Sequence, residues 1–493
     1  MTPAPHITPS PLSAATLDRL PSATQRPAYD RARLRPGILH VGVGNFHRAH
    51  QAVYLDDLFG LGRDHDWAIG GAGLMPGDAR QRDLLAPQDW LYSVTELAPD
   101  RTEARVIGAM VDFLPADPQA LAARIADPSV RIVSLTITEG GYFIDAATGE
   151  FDANHPAIRA DAENPDAPRT VFGALFKGLR LRRDRGLAPP AVLSCDNVQG
   201  NGKVTRAAVE GLAAMISDGL RDWVAGNVAF PNGMVDRITP ATTDAERALI
   251  AREFGLADAS PVVCEPFRRW VLEDDFPLGR PALEEVGVQF VADVAPYETM
   301  KLRILNAGHA AIAYPAALLG HVHVHEAMAD PDIAAWLHAL MTREVIPVLP
   351  PIAGEDYHAY LATCADRFAN PRVRDTVARL AQDGSNRLPK FILPTVSEAL
   401  QAGGEIDGLA LEVAFWCRHC AAGGRPDDPR GDRLRAAAEA TRTNPAAFLA
   451  LADVFGPLGG EARFAQAFGR WIDRLWREPA RAVLRDYLNG RAG

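Results

Sequence analysis

One short stretch, Glu298-Thr-Met-Lys-Leu-Arg-Ile-Leu-Asn-Ala-Gly-His309, concentrates side chains that can hold or move a proton. Advanced at about 100° per residue, an α-helix places Lys301 at 0°, His309 at roughly 80° and Asn306 at roughly 140°, so amine, imidazole and amide share one side. The lysine is the informative member. Burial disfavours an ammonium and so lowers a lysine's pKa toward the range of a general base. On the helix alone, a solvated face carrying the same three groups is the commoner explanation of the pattern.

Two further stretches carry candidate ligand-binding residues. Ile38-Leu-His-Val-Gly-Val-Gly44 reads as a buried strand entering a glycine turn, followed by a helical pattern over 49–58. Strand, turn and helix suggest a pyrophosphate cradle at Gly42 and Gly44, although His47 replaces the third glycine of the usual fingerprint. A second strand over 67–74 precedes Asp78, a candidate acceptor for the ribose hydroxyls that would favour NAD over NADP. A turn aspartate facing solvent fits Asp78 as well.

The elements that would position these groups follow the same logic. Residues 131–138, Arg-Ile-Val-Ser-Leu-Thr-Ile-Thr, are β-branched and apolar enough for a central parallel strand covered on both faces. Ala191-Val-Leu-Ser-Cys195 is another such strand, and Asn197 lies just beyond it, where open α/β sheets present ligand contacts. A turn asparagine would look the same. Asp236-Arg237, among the turn residues of 228–240, reads either as a surface ion pair or as the wall of a polar pocket. Beyond residue 290 alanine and helical periodicity dominate. The expected architecture is therefore α/β over 1–289, with a Rossmann-type, mostly parallel sheet, and all-helical over 290–493.

Composition bounds the partners. A chain of 493 residues exceeds one compact core, and 47% hydrophobic with 23% charged residues is ordinary for a globular protein. A formal net charge of -11 argues against a nucleic-acid surface. The basic run 180–185 reads as a solvated helix end. The Pro-, Thr- and Ser-rich lead over 1–15 has neither the basic start nor the apolar run of a secretory signal, and the apolar run 310–319 is too short to span a bilayer. A cytoplasmic enzyme, possible as a monomer, is the expectation.

Cys195, Cys264, Cys364, Cys417 and Cys420 are odd in number and scattered, which suits free thiols. Cys417-Arg-His419-Cys420 lacks a second ligand pair, and His321, His323 and His325 lack a carboxylate at a known spacing, so no metal is assigned.

Five segments, taken together and in order, resemble the mannitol dehydrogenase family of polyol-specific long-chain dehydrogenases. They are Gly42-Val-Gly-Asn-Phe-His-Arg-Ala-His50, Thr136-Ile-Thr-Glu-Gly-Gly-Tyr142, Ser194-Cys-Asp-Asn-Val198, Val235-Asp-Arg-Ile-Thr-Pro240 and the Lys301, Asn306, His309 spacing. The resemblance implies metal-independent, NAD-dependent oxidation of a sugar alcohol to a ketose, D-mannitol to D-fructose in the first instance. It implies Lys301 as general base, Asn197 and Asn306 as donors to the developing alkoxide, His309 as a hydroxyl contact and Glu298 as the proton route to solvent. Phe46 would join Gly42, Gly44 and Asp78 at the cofactor. Asp236, Arg379 and Arg387 would meet the far hydroxyls. Many relatives carry lysine where this chain has Arg387, and a planar fork binds a polyol differently from a point charge. The same scaffold serves arabinitol and sorbitol dehydrogenases and uronate (fructuronate or tagaturonate) reductases, the last needing an arginine for the substrate carboxylate. An NAD-binding sensor or scaffold would need the cradle but no base.

Overall fold

The computed structural model describes residues 9–145, 148–423 and 425–490. The first eight residues of the Pro-rich lead lie outside them. Contacts divide the chain into two units, Met1–Ala295 and Pro296–Gly493.

The first unit is built on five parallel strands, β1 (Pro36–Val41), β2 (Ala68–Ala72), β3 (Met110–Phe113), β4 (Ile132–Leu135) and β5 (Ala191–Ser194), in the order β3-β2-β1-β4-β5. That is the order of a nucleotide-binding doubly wound sheet. Alternation along the strands sorts the core into two layers. Ile38, Ile132 and Leu193 face one cluster, and Leu39, Val41, Val133, Leu135 and Val192 face the other. Two polar residues break the first face. His40 and Ser134 sit side by side there, with His40 Nδ1 2.8 Å from the Ser134 hydroxyl.

Helices α1 (Asn45–Ala49) and α2 (Gln51–Gly60) follow β1, and α3 (Pro76–Leu85) follows β2. The opposite face is covered by α4 (Pro118–Ile125), α5 (Val171–Asp184) and α6 (Asn201–Ile216). The basic run does end α5, but it is not wholly solvated. Arg182 is buried, and its guanidinium donates to the carbonyls of Ile125 and Ala188, both at 2.7 Å.

A smaller sheet joins β6 (Gly233–Asp236), β7 (Arg269–Glu273) and β8 (Gln289–Val291). The boundary placed at 289/290 from the change in periodicity passes through β8. Pairing of β8 with β7 keeps that segment in the first unit, and the chain divides at Ala295 instead.

The second unit is helical. Its centre is α7 (Ala307–Leu319), buried along most of its length, packed against α8 (Asp407–Ala421). Pro315 lies inside α7 and has no N–H for the carbonyl of Ala311, four residues back. The indole of Trp336 donates to that carbonyl at 2.9 Å. Helix α9 (Ala462–Arg477) buries Phe464, Ala467, Phe468, Trp471, Ile472 and Leu475, a stripe with helical spacing that packs on α8. Among the described residues, no helix is long and apolar enough to cross a membrane.

Candidate active site

The glycine turn is shaped by its surroundings. Gly42 has φ +95°, and a Cβ there would meet the Thr136 carbonyl oxygen at 2.0 Å, so only glycine fits. Its own carbonyl is held from three sides, accepting from Gly44 N at 2.7 Å, from the Thr136 hydroxyl at 2.5 Å and from His40 Nε2 at 3.0 Å. Gly44 is exposed, and a Cβ there would find only the Gly42 carbonyl, at 4.0 Å. Bare space over the turn is what close approach of a pyrophosphate requires. The first helical bond of α1 runs from Arg48 N to Gly44 O at 3.2 Å, which leaves the amides of Asn45, Phe46 and His47 ahead of the intrahelical ladder. The turn therefore fits a dinucleotide.

His47, in the place of the missing third glycine, is buried and stacked on the His40 ring, centroids 3.4 Å apart. Burial lowers both imidazoles' affinity for a proton, His40 to about 3. Phe46 lies over the His50 ring at 4.9 Å. The backbone prepares the cradle, and a wall of neutral aromatic rings supports it from inside.

Asp78 occupies the first turn of α3, just past β2, and its carboxylate accepts the Met75 N–H at 2.9 Å. Burial raises its pKa. Gly73 makes room for it, since a Cβ at Gly73 would meet Asp78 Cγ at 2.2 Å.

Asn197 is exposed in the loop after β5. Its neighbour Asp196, which the sequence reading passed over, clasps the loop after β4. The Asp196 carboxylate accepts the amides of Ile137 at 2.8 Å and Thr138 at 3.0 Å and the Tyr142 hydroxyl at 2.6 Å. Thr138 is held at φ +64°, a backbone conformation that a β-branched residue adopts only under constraint. Adjacency to Asn197 in Ser194-Cys-Asp-Asn was the signal available.

Of the two readings of Asp236-Arg237, the surface ion pair is wrong. Asp236 ends β6 at 4% exposure, and Arg237, at 5%, turns inward to pair with Glu96 and to donate to the Ala49 carbonyl at 2.6 Å. Asp236 and Arg237 both act on His50, with opposite signs, and burial brings that imidazole to about 3.

In the second unit, Lys301 to Asn306 form a π-helical turn leading into α7, not the α-helix that the angular argument assumed. Its i→i+5 pattern brings Asn306 one full turn along from Lys301 instead of about 140° round the helix. Such turns insert one extra residue and are frequent at functional sites. The reading of a solvated face also fails: Lys301 and Glu298 are each 8% exposed and His309 9%, with Asn306 half-buried. Arg303 anchors the turn from another side through Glu398 at 2.8 Å.

His309 packs against Phe368, ring centroids 4.3 Å apart, and burial lowers its pKa to about 3. Asp375, Arg379, Arg367 and Arg387 all act on it electrostatically. Two of the expected substrate residues, Arg379 and Arg387, are thus among the charges that act on His309, and Asp375, absent from the sequence expectations, is another. Arg379 Nε donates to Asp375 at 2.6 Å, and Arg387 Nη1 donates to the Leu380 carbonyl at 2.8 Å.

The five cysteines are all buried, and none is in a disulfide. His321 and His323 bond to carboxylates, Asp330 at 3.0 Å and Glu326 at 3.2 Å. Among the described residues, no cluster of metal-ligating side chains forms.

Comparison with known proteins agrees along the length of the chain. Residues 36–285 match the family model described as the mannitol dehydrogenase Rossmann domain, and residues 293–476 match the mannitol dehydrogenase C-terminal domain. A mannitol 2-dehydrogenase of Cereibacter sphaeroides is 54% identical over 94% of this chain and 98% of its own length. The Pseudomonas fluorescens mannitol 2-dehydrogenase, solved as a ternary complex with NAD and D-mannitol, is 43% identical, covering 97% of this chain and 100% of its own, with a TM-score of 0.85. A D-sorbitol dehydrogenase in substrate-free form is 36% identical over 96% of this chain and 100% of its own, with a TM-score of 0.89. Both halves of the sequence and nearly its whole length carry the likeness, and the chain belongs to the mannitol dehydrogenase family.

Proposed function

We propose that the protein is an NAD-dependent polyol dehydrogenase that oxidises D-mannitol at one secondary alcohol to D-fructose. The observation that carries this is a buried lysine opening a π turn, in a chain 54% identical to a mannitol 2-dehydrogenase across almost its full length. Bound NAD supplies the electrophilic nicotinamide carbon that takes hydride from the carbinol.

The roles of the side chains follow from their chemistry. Lys301 accepts the hydroxyl proton on its amine as the carbon loses hydride, and Glu298 passes that proton on toward solvent. The amides of Asn197 and Asn306 donate to the oxygen as it gains charge, the work of an oxyanion hole. His309, kept neutral by burial, orients a substrate hydroxyl as a hydrogen-bond partner and not as an acid. Asp236, Arg379 and Arg387 hold the more distant hydroxyls. Gly42 and Gly44 admit the pyrophosphate, Phe46 flanks the cofactor, and Asp78 accepts from the adenosine ribose, which favours NAD over NADP. A monomer is the form proposed.

A panel of polyols followed by NADH absorbance tests the reading. D-Mannitol should give the highest kcat/KM, with D-arabinitol and sorbitol below it. Absence of NADH formation with every polyol, alongside intact NAD binding, would instead identify a sensor.

A further inference from the structure

We infer that Asp375 sets the preference for an uncharged polyol over the corresponding sugar acid, by occupying the guanidinium fork of Arg379 and offsetting positive charge around His309. This rests on the proposal that Arg379 and His309 meet the substrate. Arg379 lies one turn after Asp375, with Nε donating to Oδ1 at 2.6 Å and Nη2 paired with Oδ2. That two-point geometry is how a guanidinium grips a carboxylate, so the site a substrate carboxylate would need is already filled. Asp375 is the fixed partner. It also accepts the Thr376 N–H at 2.8 Å, and its side chain is 13% exposed against 54% for Arg379. Burial pushes its carboxyl up, but the bonds from Arg379 outweigh burial and hold it below its ordinary pKa.

Arg387 is engaged at one end only, with Nη1 donating to the Leu380 carbonyl and the guanidinium 5.7 Å from the Phe391 ring, so the two-point grip already filled is that of Arg379. Asp375 heads the charges acting on His309, and Arg379, Arg367 and Arg387 act on it with the opposite sign. Removing the carboxylate makes the surroundings of a neutral imidazole more positive, a change that favours an anion. A hydroxyl needs neither the fork nor the added charge.

The test compares NADH-driven reduction of D-fructose with that of D-fructuronate, the same ketose with its far primary alcohol oxidised to a carboxylate. In both, hydride passes from NADH to the keto carbon and a proton to its oxygen. In Asp375→Ala and Asp375→Asn, the ratio of kcat/KM for the acid to that for fructose should rise about 10–100-fold, the discrimination expected of one charge-assisted pair. The gain should disappear when Arg379→Ala is added. An unchanged ratio in both single variants, with circular dichroism and NADH binding as in wild type, overturns the inference. Arg379→Ala alone should raise KM for fructose; an unchanged KM would overturn the substrate contact itself and the inference with it.

Discussion

Burial decides the state of the imidazoles, and with it their use. His40, His50 and His309 all sit near 3, with desolvation as the first cause, and His47 is lowered too. A histidine whose folded pKa lies below its unfolded value of about 6.5 binds fewer protons when folded. Its stabilisation is complete above about pH 6.5 and is lost as pH falls toward about 3. Urea unfolding should accordingly show lower stability at pH 5.5 than at pH 7.0, by roughly 1 kcal/mol for each imidazole that protonates on unfolding. Equal or greater stability at pH 5.5 would show that these rings are hydrated. The pH dependence of turnover between 5.5 and 9 should then owe nothing to His309, which serves as a neutral partner throughout.

Secondary elements carry the site by small departures from regularity. The π turn is one. Pro315 is another, because the carbonyl it leaves unpaired on Ala311 is claimed by Trp336. Trp336→Phe keeps most of the packing but strands that carbonyl in the core, and should cost about 1–3 kcal/mol in urea unfolding. A loss close to zero would mean that another donor takes over. These details explain what the sequence could and could not disclose. The central strands were legible because residues 132–135 and 191–194 are short, uncharged and mostly apolar runs, each with a single serine. Helix α1 was not, since the reading began its helix at Ala49 and the run Asn45-Phe-His carries no apolar period. The π turn was invisible for a different reason: one extra residue in a turn changes no residue type. Strand β8 escaped notice because three residues after a turn do not reveal a partner, and that partner, β7, moved the boundary. At the site, Lys301, Asn306 and His309 stood out because they lie close together in the sequence. Asp375 and Asp196 did not, because their roles depend on contacts that only folding creates.

At the scale of the molecule, the groups proposed to carry the reaction are divided between the two units. The parallel sheet of the first presents the glycine turn, Asp78 and Asn197 at the carboxyl ends of its strands, and the helical second unit carries Lys301, Asn306 and His309 at the start of its central helix. The scheme assigns no step to a metal ion, so dialysis against EDTA should leave turnover unchanged; inactivation that added zinc reverses would return Cys417 and His321 to consideration. The most direct measurement is the rate of NADH formation when the enzyme–NAD complex is mixed with D-mannitol, for wild type and Lys301→Ala, with NADH affinity measured in parallel. A positioned base contributes about 10²–10⁴, so near pH 7 the variant should form NADH slower by that factor while binding NADH nearly as before. A near-wild-type rate, or a parallel collapse of NADH binding, would contradict the assignment of Lys301 as the base.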